Sequence, residues 1–361
     1  MSKYILSLSF LWLFSAACTH KELCYDHLHA ANLLFEVKWN LQWHLKWTID
    51  WDKEIDDSWA VDWAKVIPKI PEGIRVVAYP RAANGNRQVH NLPAGGGAVE
   101  LVVGEYDCLL YNNDTEYIVF EGNALSHTVV ATTRSRSRSP YTEEHPGEVT
   151  VNPPDVLFCA YEQGVKIKEM TSSEFEGEVI RDTLHAELSP LVYTYILRFE
   201  FAKGKAYISA ARGSLSGMAG SVLLYNGKTL DDVVTLLFED HRIRDYGVEV
   251  YLRSFGTCSV LPDSSVLTSK AVLSRARRPK VTSETRNLLT LELLLKNGKT
   301  KTIATDVTEQ LRAHPRGGVI VVKGLEVTPA EGNGGGSGME VEVNDWGDHK
   351  QVDIPMQNNK K

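Results

Sequence analysis

Residues 35–51 read FEVKWNLQWHLKWTIDW and alternate without a slip. The odd positions Phe35, Val37, Trp39, Leu41, Trp43, Leu45, Trp47, Ile49 and Trp51 are apolar, and the even positions between them are polar or charged. A period of two belongs to a β-strand with one buried and one wet face, because successive side chains point to opposite sides of a sheet. A helix would scatter the same residues around its axis. Trp39, Trp43, Trp47 and Trp51 fall on one face, which makes this stretch the expected N-terminal core strand. At ~3.3 Å per residue it would span roughly 55 Å, beyond the usual strand. It is therefore one very long strand, or two collinear strands joined by a bend that keeps the phase. His44 and Lys46 belong to the solvated face.

The remainder of the chain also reads as short strands separated by turn signals. Strands are expected at 74–79, 88–92, 99–103, 106–111, 117–120 and 127–133, with turns at Asn84-Gly85 and Pro93-Ala-Gly-Gly-Gly97. Trp59, Trp63, Val66 and Ile67 carry helical spacing, with Asp57 or Ser58 as the cap and Pro68 as the stop. The run from 132 to 148 alternates Arg134, Arg136 and Arg138 with serine and reads as a solvated linker or an edge strand guarded by charge. Beyond it, strands are expected at 156–161, 191–201, 206–212, 222–225, 233–238, 248–255, 288–295, 299–303 and 319–322. A helical or looped segment is expected at 172–187, a bend at Arg212–Gly220 and a short helix at 306–313. A chain of 361 residues suits two domains better than one. The pattern is all-β, with β-sandwiches at 32–150 and 151–356, a long polar loop at 259–287 and a tail at 357–361.

The first residues have a different design. Lys3 precedes an apolar run from Tyr4 to Phe14, then Ser15, Ala16, Ala17 and Cys18. Residues 1–17 read as a signal peptide, since the apolar run is too short to span a bilayer. Small residues directly before a cysteine resemble a bacterial lipobox, which makes Cys18 the expected lipidation site and 18–31 a leash. Cys24, Asp26, His27 and His29 lie in that leash without an accepted zinc spacing. Cys108, Cys159 and Cys258 lie in or beside apolar runs and read as buried free thiols.

Chemistry is not written in the sequence. It contains no P-loop, no G-x-S-x-G and no H-E-x-x-H. No enzyme activity, catalytic residue, cofactor or metal site is expected. A net charge of −7 offers no basic surplus to displace counterions, so nucleic acid is not an expected partner.

Several segments together carry a resemblance: SAAC, THKELCYDHLH, RVVAYP, GEYDCLLYNNDTEYIVF, VYTYILRFEF, ARGSLSGMAG and MEVEVNDWGDHKQVDIPM. They are similar to an uncharacterised family of Bacteroides-type lipoproteins that resembles fimbrillins and the fimbrial anchor subunits of Bacteroidales. The resemblance implies two tandem transthyretin-like β-sandwiches after a lipoprotein signal peptide. It also implies a lipid anchor in the outer membrane at the cell surface and fimbrial subunits as partners. Such pilins polymerise when a protease removes a leader and first strand and a neighbour's tail strand fills the groove, which is strand addition. Anchor subunits retain lipid and first strand. The resemblance makes Met339, Val341, Val343 and Trp346 the expected strand-donor tail. A surface lipoprotein that binds glycan or host protein without polymerising is the alternative, with long loops such as 259–287 as its binding side.

Overall fold

The computed structural model describes residues 30–41, 55, 59–83, 85–135, 149–168, 180–258 and 285–333. Its first half contains β1 (Ala30–Trp39), α1 (Trp63–Val66), β2 (Gly73–Pro80), β3 (Gln88–Pro93), β4 (Gly96–Val102), β5 (Gly104–Tyr111), β6 (Ile118–Glu121), β7 (Val130–Thr133), β8 (Val149–Val151), β9 (Phe158–Ile167) and β10 (Ile180–Pro190). Its second half contains β11 (Tyr193–Lys203), β12 (Ile208–Ala219), β13 (Ser221–Leu223), β14 (Val233–Phe238), β15 (Arg242–Arg244), β16 (Gly247–Ser254), β17 (Leu288–Leu295), β18 (Thr300–Asp306), α2 (Thr308–Ala313), β19 (Gly318–Glu326) and α3 (Pro329–Asn333). The architecture is mostly β, as the turn-punctuated pattern implies.

Seven strands form the first sheet in the order β3-β2-β5-β9-β10-β1-β4. Its two edges, β3 and β4, are consecutive in the chain and joined only through Ala94 and Gly95. The sheet therefore rolls to bring its edges together around a core that includes Phe35, Ile74, Val76, Leu101, Leu110, Phe158 and Leu188. Strands β2 and β5, and the first residues of β9, bury both faces. Ile74, Val76 and Ala78 face the first core, whereas Val77 and Tyr79 face a second one. This double burial explains why RVVAY and CLLY read as near-continuous apolar runs rather than alternating ones. The second core lies between the rolled sheet and a three-stranded sheet, β13-β7-β6, with Leu191, Val192 and Phe255 contributed by the second half.

The C-terminal part is a sandwich of a four-stranded sheet, β15-β16-β11-β19, and a five-stranded sheet, β18-β17-β12-β14-β8. Tyr195, Leu197, Val250, Leu252 and Ile320 of the first pack on Leu215, Leu236, Leu289 and Leu291 of the second.

Four expectations need correction. The division at residue 150 does not follow strand pairing, because β9 pairs with β5 and β10 pairs with β1. The residue types of 158–190 fit either half, and only pairing with strands far back in the chain assigns them to the rolled sheet. The segment expected to be helical or looped includes β10 from Ile180 onward, where Leu184, Ala186 and Leu188 alternate toward the core. The helix near Trp59 is a single turn, Trp63–Val66, whose cap is Asp62, accepting from the Ala64 N–H at 3.2 Å. Trp59 precedes it outside the helix, its carbonyl accepting from the Val61 N–H at 2.9 Å. Arg212–Gly220 is not a simple bend: residues 212–219 continue β12, with a register shift between Leu215 and Met218 where Gly217 takes φ 74°.

Cys108 and Cys159 are buried free thiols, and Cys258 is half-buried, its Sγ 3.8 Å from the Asp232 carbonyl oxygen. Burial pushes the Cys108 thiol up to about 12 and that of Cys159 further up, so neither presents a reactive thiolate at neutral pH.

Candidate functional site at the first strand

The alternation that opens the chain seats β1 deep in the rolled sheet. β1 lies between β10, to which it is parallel, and β4, to which it is antiparallel. Leu33 and Phe35 are buried in the first core, and Val37, Trp39 and Leu41 pack against it. The Trp39 ring meets Phe158 edge-on at 5.1 Å, and its indole N–H donates to the Ala94 carbonyl at 3.0 Å. The opposite face is wet: Glu36 pairs with His185 of β10 at 2.9 Å, both exposed, a pair of small energetic value. The Asn40 N–H donates to the Leu188 carbonyl and ends the pairing.

β4 is shaped to approach β1 closely. Gly96 and Gly97 face Glu36 and Phe35 in register. Gly96 has φ +98°, and a Cβ there would lie 1.9 Å from the Phe35 carbonyl oxygen. Gly95, one residue earlier, has open space around its Cβ position. Gly96→Ala is expected to lower stability by about 1–3 kcal/mol through strain and clash, while Gly95→Ala leaves the melting temperature nearly unchanged. Equal melting of the two variants would contradict the close approach.

The slot so formed has a defined chemistry. Without β1, the backbone of β10 and β4 would lose its partners along both sides of an apolar trench lined by Ile74, Leu101, Phe158 and Leu188. Such a groove accepts an extended strand with apolar residues at every second position. In this structure the chain's own strand fills it.

The seam where the rolled edges meet contains His90 of β3. Its Nε2 is buried and makes no hydrogen bond among the described residues. Burial lowers its pKa, and Glu100 of β4 offsets this only in part. The folded chain therefore binds this proton less readily than the unfolded chain does. The stability so linked is fully present above the ordinary histidine range near 6.5, and it declines as pH falls from there toward the folded value. Melting between about pH 7.5 and about pH 5 is expected to slope downward with acid, less steeply in His90→Gln. Identical slopes would remove His90 from the seam's pH response.

A second constellation ties the connection between β1 and β2 to the C-terminal sandwich. Residues 59–67 lie over the outer face of the four-stranded sheet, where Trp59 and Val66 pack with Tyr193, Ile196 and Val319. The Trp59 indole N–H donates to the Glu249 carboxylate at 2.6 Å, as does the Tyr246 hydroxyl at 2.6 Å and the Arg244 guanidinium at 2.9 Å. The Arg198 guanidinium stacks 3.9 Å from the Tyr246 ring centre and 4.4 Å from that of Trp59. Burial alone would raise the Glu249 pKa, but the three donors and the Arg244 charge outweigh it and hold the carboxyl below its usual range. This strap over the sheet is closed further by the Asp62 N–H, which donates to the Tyr251 hydroxyl oxygen at 2.8 Å, and by the Arg242–Asp62 ion pair.

Of the expected site residues, Trp39 lies in the slot. Cys18, Trp43, Trp47, Trp51, Met339, Val341, Val343 and Trp346 lie outside the described residues, as do 259–284 of the long loop. The Glu249 clasp was not legible as a site. Its only signal is a carboxylate between Val248 and Val250 on a mostly buried strand.

Comparison with known proteins adds three findings. The family described as Domain of unknown function (DUF5119) matches residues 55–239. A candidate fimbrium anchoring subunit, Fim4B of Bacteroides ovatus, is 25% identical over 321 residues, covering 82% of this chain and 88% of that protein. The crystal structure of a candidate adhesin from Bacteroides ovatus superposes with a TM-score of 0.53 at 20% identity, over 86% of this chain and 96% of that one. That structure shares the fold.

Proposed function

This chain belongs to the DUF5119 family, and from that premise we propose that it is a non-catalytic fimbrial anchor or accessory subunit at the cell surface. The likeness to Fim4B along most of both chains carries the reading. The seated first strand supports its finer part. A subunit that keeps β1 has no open groove in its rolled sheet, so it does not accept a neighbour's strand there. It ends the filament at its base and offers its own tail, Met339, Val341, Val343 and Trp346, to the next subunit. The rolled sheet and the C-terminal sandwich are read as two tandem transthyretin-like domains. Residues 1–17 act as the signal peptide and a lipid on Cys18 holds the protein in the outer membrane.

The test is a deletion strain and a Cys18→Ala strain, sheared and fractionated. The wild-type protein is expected in the membrane fraction with filament subunits copurifying, and both mutants are expected to shed filaments into the medium. Unchanged piliation in the deletion strain would overturn the anchor reading. Retention in the membrane without filament partners would favour a surface lipoprotein that binds glycan or host protein instead.

A further inference from the structure

Three strand pairs among the described residues are parallel, and two of them lie in series along the chain. β1 is parallel to β10 from Leu33 opposite Asp182 to Trp39 opposite Leu188. β10 ends at Pro190, and after Leu191 and Val192 the chain enters β11. β11 is in turn parallel to β19, from Tyr195 opposite Gly318 to Lys203 opposite Glu326. β19 is the last described strand before the tail.

Tension on the two ends of the chain meets this order in one way. It draws β1 by its N-terminal end and β10 by its C-terminal end. It then draws β11 by its N-terminal end and β19 by its C-terminal end. In a parallel pair those ends are opposite, so each pair slides lengthwise and its evenly spaced hydrogen bonds share the load. A pair pulled from adjacent ends would instead peel, one bond at a time. We propose that the chain is a load-bearing strut in which end-to-end tension is carried in shear by two parallel strand pairs, β1/β10 and β11/β19, linked through Leu191-Val192.

The two clamps differ in strength. β1 is held on both sides, by β10 and β4, and its inner face is buried in the first core. β19 has only β11 as a strand neighbour, with register shifts after Phe199. Beyond β11 its backbone is held by side chains: Gln310 of α2 donates to the Val321 carbonyl at 3.0 Å and accepts from the Val321 N–H at 2.8 Å, and Lys301 of β18 donates to the Glu326 carbonyl at 2.9 Å. β19 is therefore the first strand to yield, and β1 is retained under loads that release it. That the cell applies such tension rests on the anchor reading; the strand geometry does not.

Single-molecule pulling on the full chain tests the inference. One geometry holds the N- and C-terminal ends. The other holds the N-terminal end and a handle on Asp182→Cys, an exposed position opposite Leu33, so that β1 and β10 are pulled from adjacent ends. Thr183→Cys, opposite Leu34, replaces it if the first variant does not fold. End-to-end rupture is expected at several-fold higher force, with the first event releasing the chain from Gly318 onward and occurring at lower force in Gln310→Ala. Equal or lower force end to end, or first release of β1, overturns the strut. A high end-to-end force in a chain whose deletion leaves piliation unchanged would overturn the anchor reading alone.

Discussion

Phe35→Ala is expected to destabilise the rolled sheet by about 3–5 kcal/mol, the range for truncating a buried aromatic. Phe35 is fully buried at the centre of β1. Its backbone faces Gly97 on one side and Leu184 on the other, so neither neighbour can move in to fill the space without breaking the pairing. The truncated site would thus remain a cavity rather than collapse. Trp39→Ala reports on the end of the same strand. The ring is half-buried, so its loss costs less packing, but it also removes the edge contact with Phe158 and the bond to Ala94. Trp39→Phe isolates the bond, which contributes about 1 kcal/mol. Denaturant unfolding with an unchanged m-value would measure all three. A Phe35→Ala chain less than about 1 kcal/mol weaker than wild type would mean that β1 is a removable lid and not the keystone of its sheet.

How much of this could be read from the sequence depends on how far apart the partners are. The inward face of β1 was legible from periodicity, because alternation is a local consequence of strand geometry, and Leu33 to Leu41 follow it. The parallel partner of β1 was not. The segment containing Asp182, Thr183 and His185 is polar enough to read as a loop, and its Leu184, Ala186 and Leu188 become a strand face only when β1 supplies hydrogen bonds along one side. The same cause moved the apparent boundary. The arginine-serine run after Arg134 has the composition of a linker, yet β9 and β10 beyond it return to the first sheet. Composition records solvation, whereas sheet membership is decided by pairing over long sequence separations. Gly96 shows the converse: the glycine run read only as a turn, and its second duty, letting β4 approach the Phe35 carbonyl, appears once β1 is in place.

The clasp lies furthest from what periodicity can show, since Trp59 and Glu249 are 190 residues apart. Trp59→Ala is expected to cost about 3–5 kcal/mol. Trp59 is buried against Tyr246 edge-on, beneath the Arg198 guanidinium, and its indole N–H satisfies a carboxylate with no exposed surface. Its removal takes away packing, a stacked cation and a donor together, and uncovers Tyr193, Ile196 and Val319. The loss should appear locally as well as globally: trypsin is expected to cut after Lys65 and Lys69 faster, because the strap has lost its hold on the sheet. Glu249→Gln separates charge from shape. The folded-state pKa of Glu249 is depressed, so the stability it contributes is present above the ordinary glutamate range and is lost as pH falls through the folded value. The wild-type chain is therefore expected to lose stability in that acid window more steeply than Glu249→Gln. Trp59→Ala with wild-type stability and wild-type cleavage would mean that residues 59–67 merely rest on the sheet. If instead both change, the connection from β1 to β2 is fixed at its midpoint to the C-terminal sandwich, and β1 cannot leave its slot taking the strap along unless the clasp opens first.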